Sequence, residues 1–220
     1  MKTHIKICGL KEKSHALEAA SAGADFIGLV LAPSRRQIDV AQAREITEAA
    51  KEFCPEIKTV GVFVNMPAPA VNRMARDCAF DWVQLSGDET WGYCQQIERP
   101  LIKTAHVRAG QYPEEIYEYL AIGEQALSEQ EHRFLLDSRT DKEYGGTGET
   151  CDWSIAREIA QSLPVILAGG LRPENVTRAV SEVAPWGVDV SSGVETNGTK
   201  DAAKIAAFIE AVRSADKREK

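Results

Sequence analysis

The chain has 220 residues, of which 44% are hydrophobic and 27% charged, a composition typical of a soluble globular protein. Its net charge of −7 argues against broad binding to nucleic acids or anionic membranes. The five cysteines are widely spread and form no CxxC pair, which indicates reduced thiols rather than disulfides or a zinc site. Because neither a signal peptide nor an apolar run of membrane-spanning length is apparent, we expect a cytoplasmic protein.

Strand-like and helix-like segments alternate from one end of the chain to the other. Period-two or continuously apolar runs predict the strands, and runs of good helix formers predict the helices. The predicted strands cover residues 4–8, 25–31, 59–64, 82–85, 101–107, 134–137, 164–168 and 187–190. The predicted helices cover residues 13–22, 40–53, 68–77, 89–97, 151–162, 173–183 and 200–212, and one more begins at residue 113.

This order of elements predicts the fold. Alternating strands and helices require parallel crossovers, and eight such units close naturally into a (β/α)8 TIM barrel. An open doubly wound sheet is the alternative, but no strand is followed by GxGxxG, which disfavours a dinucleotide-binding fold. We therefore predict a single α/β barrel domain over residues 1–213, followed by a charged, frayed tail over residues 214–220.

The active site of such a barrel lies at the carboxyl ends of the strands. Cys8 alone would not indicate a functional site, because free cysteine is often a buried packing residue. However, unusual polar residues and glycines also lie at the other predicted strand ends. The residues at the strand ends are Cys8, Arg35, Arg36, Asn65, Gln84, Ser86, Asp88, Asp137, Ser138, Arg139, Gly169, Gly170, Ser191, Ser192 and Gly193.

Two loops rich in glycine and serine follow the seventh and eighth strands. Gly169 and Gly170 precede a helix that begins near Pro173, and Ser191, Ser192 and Gly193 follow the last strand. Glycine lets backbone N–H groups approach an anion, a helix N-terminus adds positive potential, and this is the usual phosphate position in the fold. The sequence therefore predicts a phosphate site, with tight turns as the alternative.

The segment 139–149 is long for a loop in a compact domain and contains Gly145-Gly146-Thr147-Gly148. Three glycines in four residues favour a mobile flap that closes over a ligand and excludes water. The alternative is an ordinary surface loop.

Cys8 and Asp137 end the first and sixth strands, three steps apart around an eight-stranded ring, so we expect them to face each other across the mouth. An acid and a base on opposite sides of a ligand suit an isomerisation by proton transfer. An inward cation such as Lys6 can lower the pKa of the thiol, whereas Asp137 needs a raised pKa to act as an acid. Alternatively, Asp137 caps a loop or pairs with Arg139.

Lys6 and Asp189 are both expected to face inward on neighbouring strands. Because neither charge is tolerable alone in a barrel interior, we predict a buried ion pair with the charged atoms within about 6 Å of each other. Its expected role is to support the site.

Several motifs resemble those of the phosphoribosylanthranilate isomerase family of tryptophan biosynthesis, over nearly the whole chain. The matching stretches are KICGL (6–10), VGVFVN (60–65), VQL (83–85), LLDS (135–138), GGTG (145–148), LAGGL (167–171) and GVDVSSGVE (187–195).

The resemblance implies an Amadori rearrangement of N-(5-phosphoribosyl)anthranilate to 1-(2-carboxyphenylamino)-1-deoxyribulose 5-phosphate, with no metal or cofactor. It implies Cys8 as the general base for the sugar C2 proton and Asp137 as the general acid that opens the furanose ring. Arg36 would hold the anthranilate carboxylate, with the adjacent Arg35 as the other possibility. The candidate substrate-binding residues are Arg36, Gln84, Gly169, Gly170, Asp189, Ser191, Ser192 and Gly193.

Two positions depart from the family pattern. Ser86 stands where the family usually has a histidine, and Cys151 stands where it usually has an aromatic residue. These changes bear on substrate affinity and flap closure more than on reaction type. The alternatives are another phosphate-binding barrel isomerase of amino-acid biosynthesis and a non-catalytic phosphate-binding barrel. The expected partner is a small phosphorylated substrate, not nucleic acid or membrane, and the protein is expected to be a monomer or a homodimer.

Overall fold

A computed structural model of the chain describes residues 2–107, 110–138 and 153–218. Strands and helices alternate through these residues. The strands are β1 (His4–Cys8), β2 (Phe26–Val30), β3 (Lys58–Phe63), β4 (Trp82–Leu85), β5 (Leu101–Val107), β6 (His132–Ser138), β7 (Val165–Leu167) and β8 (Gly187–Val190). The helices are α1 (Lys13–Ala22), α2 (Val40–Phe53), α3 (Ala68–Asp77), α4 (Trp91–Cys94), α5 (Pro113–Ala126), α6 (Trp153–Ala160), α7 (Pro173–Val183) and α8 (Ala202–Arg218).

The eight strands form a closed parallel barrel in chain order. Closure occurs where β8 pairs with β1, with Lys6 opposite Asp189 and Ile7 opposite Val190. A doubly wound sheet would leave β1 and β8 unpaired with each other, so the (β/α)8 prediction is confirmed and the open-sheet alternative is wrong.

The core has two layers on either side of the sheet. The outward-facing Ile5 and Ile7 pack in the cluster between the strands and the helices, as the period-two pattern predicted. A second cluster fills the barrel itself and consists of Phe26, Val60, Trp82, Ile102, Leu135, Ile166 and Ala168, with Trp186 packed against it. At the amino-terminal end, the His4 ring stacks on Trp186 with their centroids 4.1 Å apart. Polar side chains, such as Gln84, Ser86 and Thr104, lie instead toward the carboxyl end of the strands.

A short hairpin lies between β8 and α8. It consists of β9 (Glu195–Thr196) and β10 (Thr199–Lys200), which pair in antiparallel fashion. Asn197 and Gly198 connect them with φ angles of 52° and 79°, the left-handed conformations that the commonest two-residue hairpin turn requires. The helix predicted over 200–212 therefore begins two residues later than expected, at Ala202, because Lys200 belongs to the hairpin.

The C-terminal end of the last helix also differs from the prediction. Helix α8 continues to Arg218, so the tail expected to fray from Ser214 is helical through that residue, and residues 219–220 lie outside the described residues. The buried carboxylate of Asp216 accepts hydrogen bonds from the backbone N–H (3.1 Å) and the hydroxyl (2.6 Å) of Thr3, which precedes β1. These bonds fix the last turn of the helix to the base of the barrel.

We expect Asp216→Ala to lower the free energy of unfolding by about 2–3 kcal/mol, because it leaves the Thr3 donors without their charged acceptor. Chemical denaturation measures the change. The matched control is Glu210→Ala, which removes an exposed carboxylate from the same helix and should have little effect. Equal stability of the two variants would contradict the anchoring role of Asp216.

Candidate active site

The predicted ion pair between Lys6 and Asp189 is confirmed. Lys6 Nζ lies 2.9 Å from Asp189 Oδ1, and the two side chains are only 2% and 10% exposed. Both residues face inward on adjacent strands, directly below the mouth of the barrel. The pair therefore places a cation next to Cys8, one inward position further along β1.

Gly28 makes the space that this arrangement needs. It lies opposite Cys8 in the β1–β2 register, and a Cβ atom there would lie 2.8 Å from Cys8 Sγ and 3.0 Å from Lys6 Nζ. Gly28 is not among the site residues predicted from the sequence. The available signal was a glycine inside an otherwise apolar strand, which marks close approach of another group.

Burial sets the protonation state of Cys8. Burial raises the pKa of its thiol and Asp189 raises it further, whereas Lys6 and the more distant Lys200 lower it; the net shift is upward from an ordinary value of 9.0. Lys6 therefore lowers this pKa, as expected, but burial has the larger effect. At neutral pH, Cys8 is therefore a thiol. The group beside it is an ammonium, because Asp189 raises the pKa of Lys6 despite its burial.

Asp137 lies near the end of β6, which is three strands from β1 around the closed barrel. Its partner in the β5–β6 register is His106. The alternative prediction, in which Asp137 pairs with Arg139, involves a residue that lies outside the described ones. The predicted flap at residues 145–148 and Cys151 also lie outside them. The fold thus brings the thiol and the carboxyl group to the same mouth from different strands.

A polar chain lines the mouth next to β4. Gln84 donates from Nε2 to Ser86 Oγ (3.0 Å), and that hydroxyl lies 3.1 Å from Thr104 Oγ1. Among the described residues, the buried Gln84 Oε1 has no hydrogen-bond partner. His106, which the sequence analysis did not consider, contacts the Ser86 carbonyl oxygen through Nε2 at 3.1 Å. An imidazole is therefore present beside Ser86, supplied by β5 instead of β4.

The loops after β7 and β8, where a phosphate site is predicted, contact each other. Gly169 and Gly170 have φ angles of 86° and 60°, conformations that glycine adopts without strain. A Cβ atom on Gly193 would collide with the carbonyl oxygen of Leu171. Ser191 joins this region to β1, since its hydroxyl donates to the Cys8 carbonyl oxygen at 3.1 Å.

Arg36 lies against the end of β1, where a Cβ atom on Gly9 would collide with its Cδ atom. Its guanidinium contacts Glu195 through two hydrogen bonds, from Nε to Oε1 (2.7 Å) and from Nη2 to Oε2 (3.2 Å). The side chain of Arg36 is 14% exposed, compared with 59% for Arg35. Arg36 is thus the more firmly held of the two. Sequence reasoning gave Glu195 no role, although it ends the GVDVSSGVE motif.

The described residues contain no group of three or more His, Cys, Asp or Glu side chains arranged to hold a metal ion. None of the helices within residues 2–107, 110–138 and 153–218 combines the length and apolar character needed to cross a membrane.

We expect Asp189→Asn to lower the pKa of the Cys8 thiol. The substitution removes the anion that raises this pKa and leaves the Lys6 ammonium free to stabilise the thiolate. The measurement is a pH titration of thiolate ultraviolet absorbance, taken as the difference between each protein and its Cys8→Ser counterpart. Asp77→Asn, which alters an exposed carboxylate on α3, is the control. An unchanged or higher pKa in Asp189→Asn would contradict the inference that Asp189 raises the pKa of Cys8.

Comparisons with known proteins agree with this geometry. The family described as N-(5'phosphoribosyl)anthranilate (PRA) isomerase matches residues 5–211. The chain is 47% identical to N-(5'-phosphoribosyl)anthranilate isomerase of Dehalococcoides mccartyi over 96% of both proteins. It is similar to the crystal structure of phosphoribosyl anthranilate isomerase from Thermotoga maritima, with a TM-score of 0.81 and 35% identity over 96% of this chain and 99% of that one.

A second solved structure contains a ligand. It is phosphoribosyl anthranilate isomerase in complex with reduced 1-(o-carboxyphenylamino)-1-deoxyribulose 5-phosphate, with a TM-score of 0.78 and 34% identity over 96% of this chain and 99% of that one. The resemblance of the motifs, the barrel and these comparisons lead to one conclusion: the chain belongs to the phosphoribosylanthranilate isomerase family.

Proposed function

We propose that this protein catalyses the Amadori rearrangement of N-(5'-phosphoribosyl)anthranilate to 1-(o-carboxyphenylamino)-1-deoxyribulose 5-phosphate in tryptophan biosynthesis. The observation that carries the proposal is the placement of Cys8 and Asp137 at the mouth of one barrel, on strands β1 and β6. Family membership supplies the substrate, and the geometry supplies an acid and a base on separate strands.

In the proposed mechanism, Asp137 begins as a carboxylic acid and donates its proton to the furanose ring oxygen. The bond between that oxygen and C1 breaks, the ring opens, and the anthranilate nitrogen shares the positive charge of the resulting Schiff base. Cys8 then removes the proton from C2, and the electron pair of the C–H bond moves toward the Schiff base. The enolamine that forms tautomerises to the ketone product.

Cys8 performs this step as a thiolate. Burial makes the thiolate a minority species at neutral pH, but the same raised pKa makes it a stronger base when it forms. Lys6 supports the thiolate, since its ammonium group is held beside Cys8 by Asp189. Lys6 and Asp189 thus position and stabilise the base.

Substrate binding is assigned to three parts of the mouth. Arg36 binds the anthranilate carboxylate, for which a guanidinium fork is better suited than an ammonium group, and its burial favours it over Arg35. Gln84 offers its buried Oε1 acceptor to a sugar hydroxyl. The phosphate is assigned to the contacting loops after β7 and β8, through Gly169, Gly170, Ser191, Ser192 and Gly193.

The proposed chemistry consists of proton transfers between the substrate and side chains, so it calls for neither a metal nor a cofactor. The barrel is the proposed catalytic unit. The protein is proposed to be a cytoplasmic monomer or homodimer. The ligand is a small phosphorylated molecule, and the net charge of −7 disfavours nucleic acid as a partner.

We expect Cys8→Ala and Asp137→Asn each to lower kcat by about 10²- to 10⁴-fold, because each removes one proton-transfer group. Affinity for the reduced product analogue should change little. Turnover is measured by the loss of phosphoribosylanthranilate fluorescence, and affinity by calorimetry. Cys54→Ser, which alters a free thiol after α2, is the control and should keep the wild-type rate. Full activity of Cys8→Ala would refute the mechanism, and an inactive wild-type protein that binds the analogue would favour a non-catalytic barrel.

We expect Gly193→Ala to weaken the binding of ribose 5-phosphate by at least about tenfold, because small displacements of binding groups have large effects. The new methyl group must push the β8 loop away from Leu171. Calorimetry gives the affinity, and thermal unfolding shows whether the variant is folded. Gly92→Ala is the control, because a Cβ atom there meets nothing within 4 Å. If the affinity of Gly193→Ala is unchanged, Gly193 does not belong to the phosphate site.

A further inference from the structure

Glu195 is the centre of a charged cluster that the proposed mechanism does not use. Its carboxylate is 5% exposed and contacts Arg35, Arg36 and Lys200, at 3.2, 2.7 and 3.0 Å respectively. We call these four residues the Glu195 cluster. Three cations therefore surround one anion at the mouth of the barrel, and the excess positive charge favours the approach of a further anion.

The carboxylate is held in its ionised form. Burial opposes this state, but the hydrogen bond from Arg36 and the charge of Lys200 outweigh burial and lower the pKa of Glu195. Glu195 is consequently a permanent acceptor for the guanidinium at neutral pH.

Lys200 fixes Glu195 from the other strand of the β9–β10 hairpin, where the two residues are register partners. The Lys200 side chain is 3% exposed. Its Nζ also donates to the carbonyl oxygen of Ser191 at 2.8 Å. Since the Ser191 hydroxyl bonds the Cys8 carbonyl oxygen, the cluster is connected to the end of β1. The position of Glu195 is therefore set relative to the catalytic thiol.

Glu195 occupies only one edge of the Arg36 guanidinium. The two hydrogen bonds use Nε and Nη2. A guanidinium has five N–H donors, and the Nη1–Nη2 edge forms a second fork that matches a carboxylate. Among the described residues, Nη1 of Arg36 has no hydrogen-bond partner. The arrangement leaves one planar fork for a ligand while the other edge is fixed to the protein.

We propose that Glu195 is a positioning residue, which holds Arg36 by one edge so that the opposite edge receives the carboxylate of the anthranilate ring. Lys200 acts through Glu195 by fixing its carboxylate. This inference rests on the proposed function, because it takes the aryl carboxylate of that substrate as the ligand of Arg36. It predicts that Glu195 contributes to recognition of the carboxylate and not of the phosphate.

The test compares two ligands that differ only in the ring carboxylate. One is reduced 1-(o-carboxyphenylamino)-1-deoxyribulose 5-phosphate, and the other is the same compound with a plain phenyl ring. Glu195→Gln keeps the shape of the side chain and removes its charge. We expect it to weaken binding of the first ligand by about tenfold or more and binding of the second by less than about twofold, since only the first needs an oriented guanidinium.

Kinetics provide a second readout. Glu195→Gln should raise KM for phosphoribosylanthranilate by a factor similar to the loss of ligand affinity and leave kcat nearly unchanged, because a ground-state contact is weakened. In an Arg36→Ala background, Glu195→Gln should have almost no further effect on binding of the carboxylated ligand, since the two residues act as one unit.

The matched control is Glu182→Gln. Glu182 also pairs with an arginine, Arg178, at 2.6 Å, but this pair is exposed on α7. The control should bind both ligands as the wild-type protein does. If Glu195→Gln does not fold, Glu195→Asp provides the same comparison, because it keeps the charge and retracts the carboxylate by one methylene.

Equal weakening of both ligands, or unchanged binding of the carboxylated ligand by a folded variant, would overturn the inference. Failure of the proposed function has a different signature. In that case, the wild-type protein itself neither binds the carboxylated ligand nor consumes phosphoribosylanthranilate.

Discussion

The ion pair between Lys6 and Asp189 is the interaction on which the architecture of the site depends. It joins β1 to β8, the two strands whose pairing closes the barrel, and both side chains are almost fully buried. Loss of either partner would leave an uncompensated buried charge, at a cost of about 3–5 kcal/mol. The pair also fixes an ammonium group beside Cys8, so the same interaction closes the fold and shapes the electrostatics of the proposed base.

One stretch of chain, from β8 through the β9–β10 hairpin, supplies much of the site. It provides Asp189 beneath the thiol, Ser191 on the Cys8 carbonyl oxygen, Gly193 against the β7 loop, and the pair of Glu195 and Lys200. These residues serve different parts of the proposed substrate. Lys200 hydrogen-bonds both Ser191 and Glu195. Asp189 and Ser191 hydrogen-bond to residues of β1, and Gly193 packs against the loop after β7. The proposed base, phosphate loops and carboxylate-binding arginine are therefore held in a fixed mutual geometry, as acid–base catalysis on a small substrate requires.

Cys8 illustrates where sequence reasoning about a site reaches its limit. The alternation of residues 4–8 correctly placed Lys6 and Cys8 on the inner face and correctly paired Lys6 with Asp189. The lowering effect of Lys6 on the Cys8 pKa was predicted correctly, but the net shift is upward because desolvation exceeds the attraction of the ammonium group. The burial of the thiol depends on all the atoms packed around it, including those of Gly28 and Asp189, so no local sequence pattern predicts it. The proposed roles of the site residues are still predictions.

The sequence by itself determined the architecture and the end of the barrel that carries the site. Hydrophobic periodicity is a local property, so it located the eight strands and most helices, and parallel alternation then required their polar ends to converge. Strand positions also allowed the distant pair of Lys6 and Asp189 to be predicted. Only the tertiary structure decided which distant groups outside the eight barrel strands meet. Arg36 and Glu195 are 159 positions apart, Thr3 and Asp216 are 213 apart, and no local signal specifies either contact. The extension of α8 and the fixed geometry of Arg36 follow from those contacts, because a charged side chain is ordered by the partner that the fold brings to it.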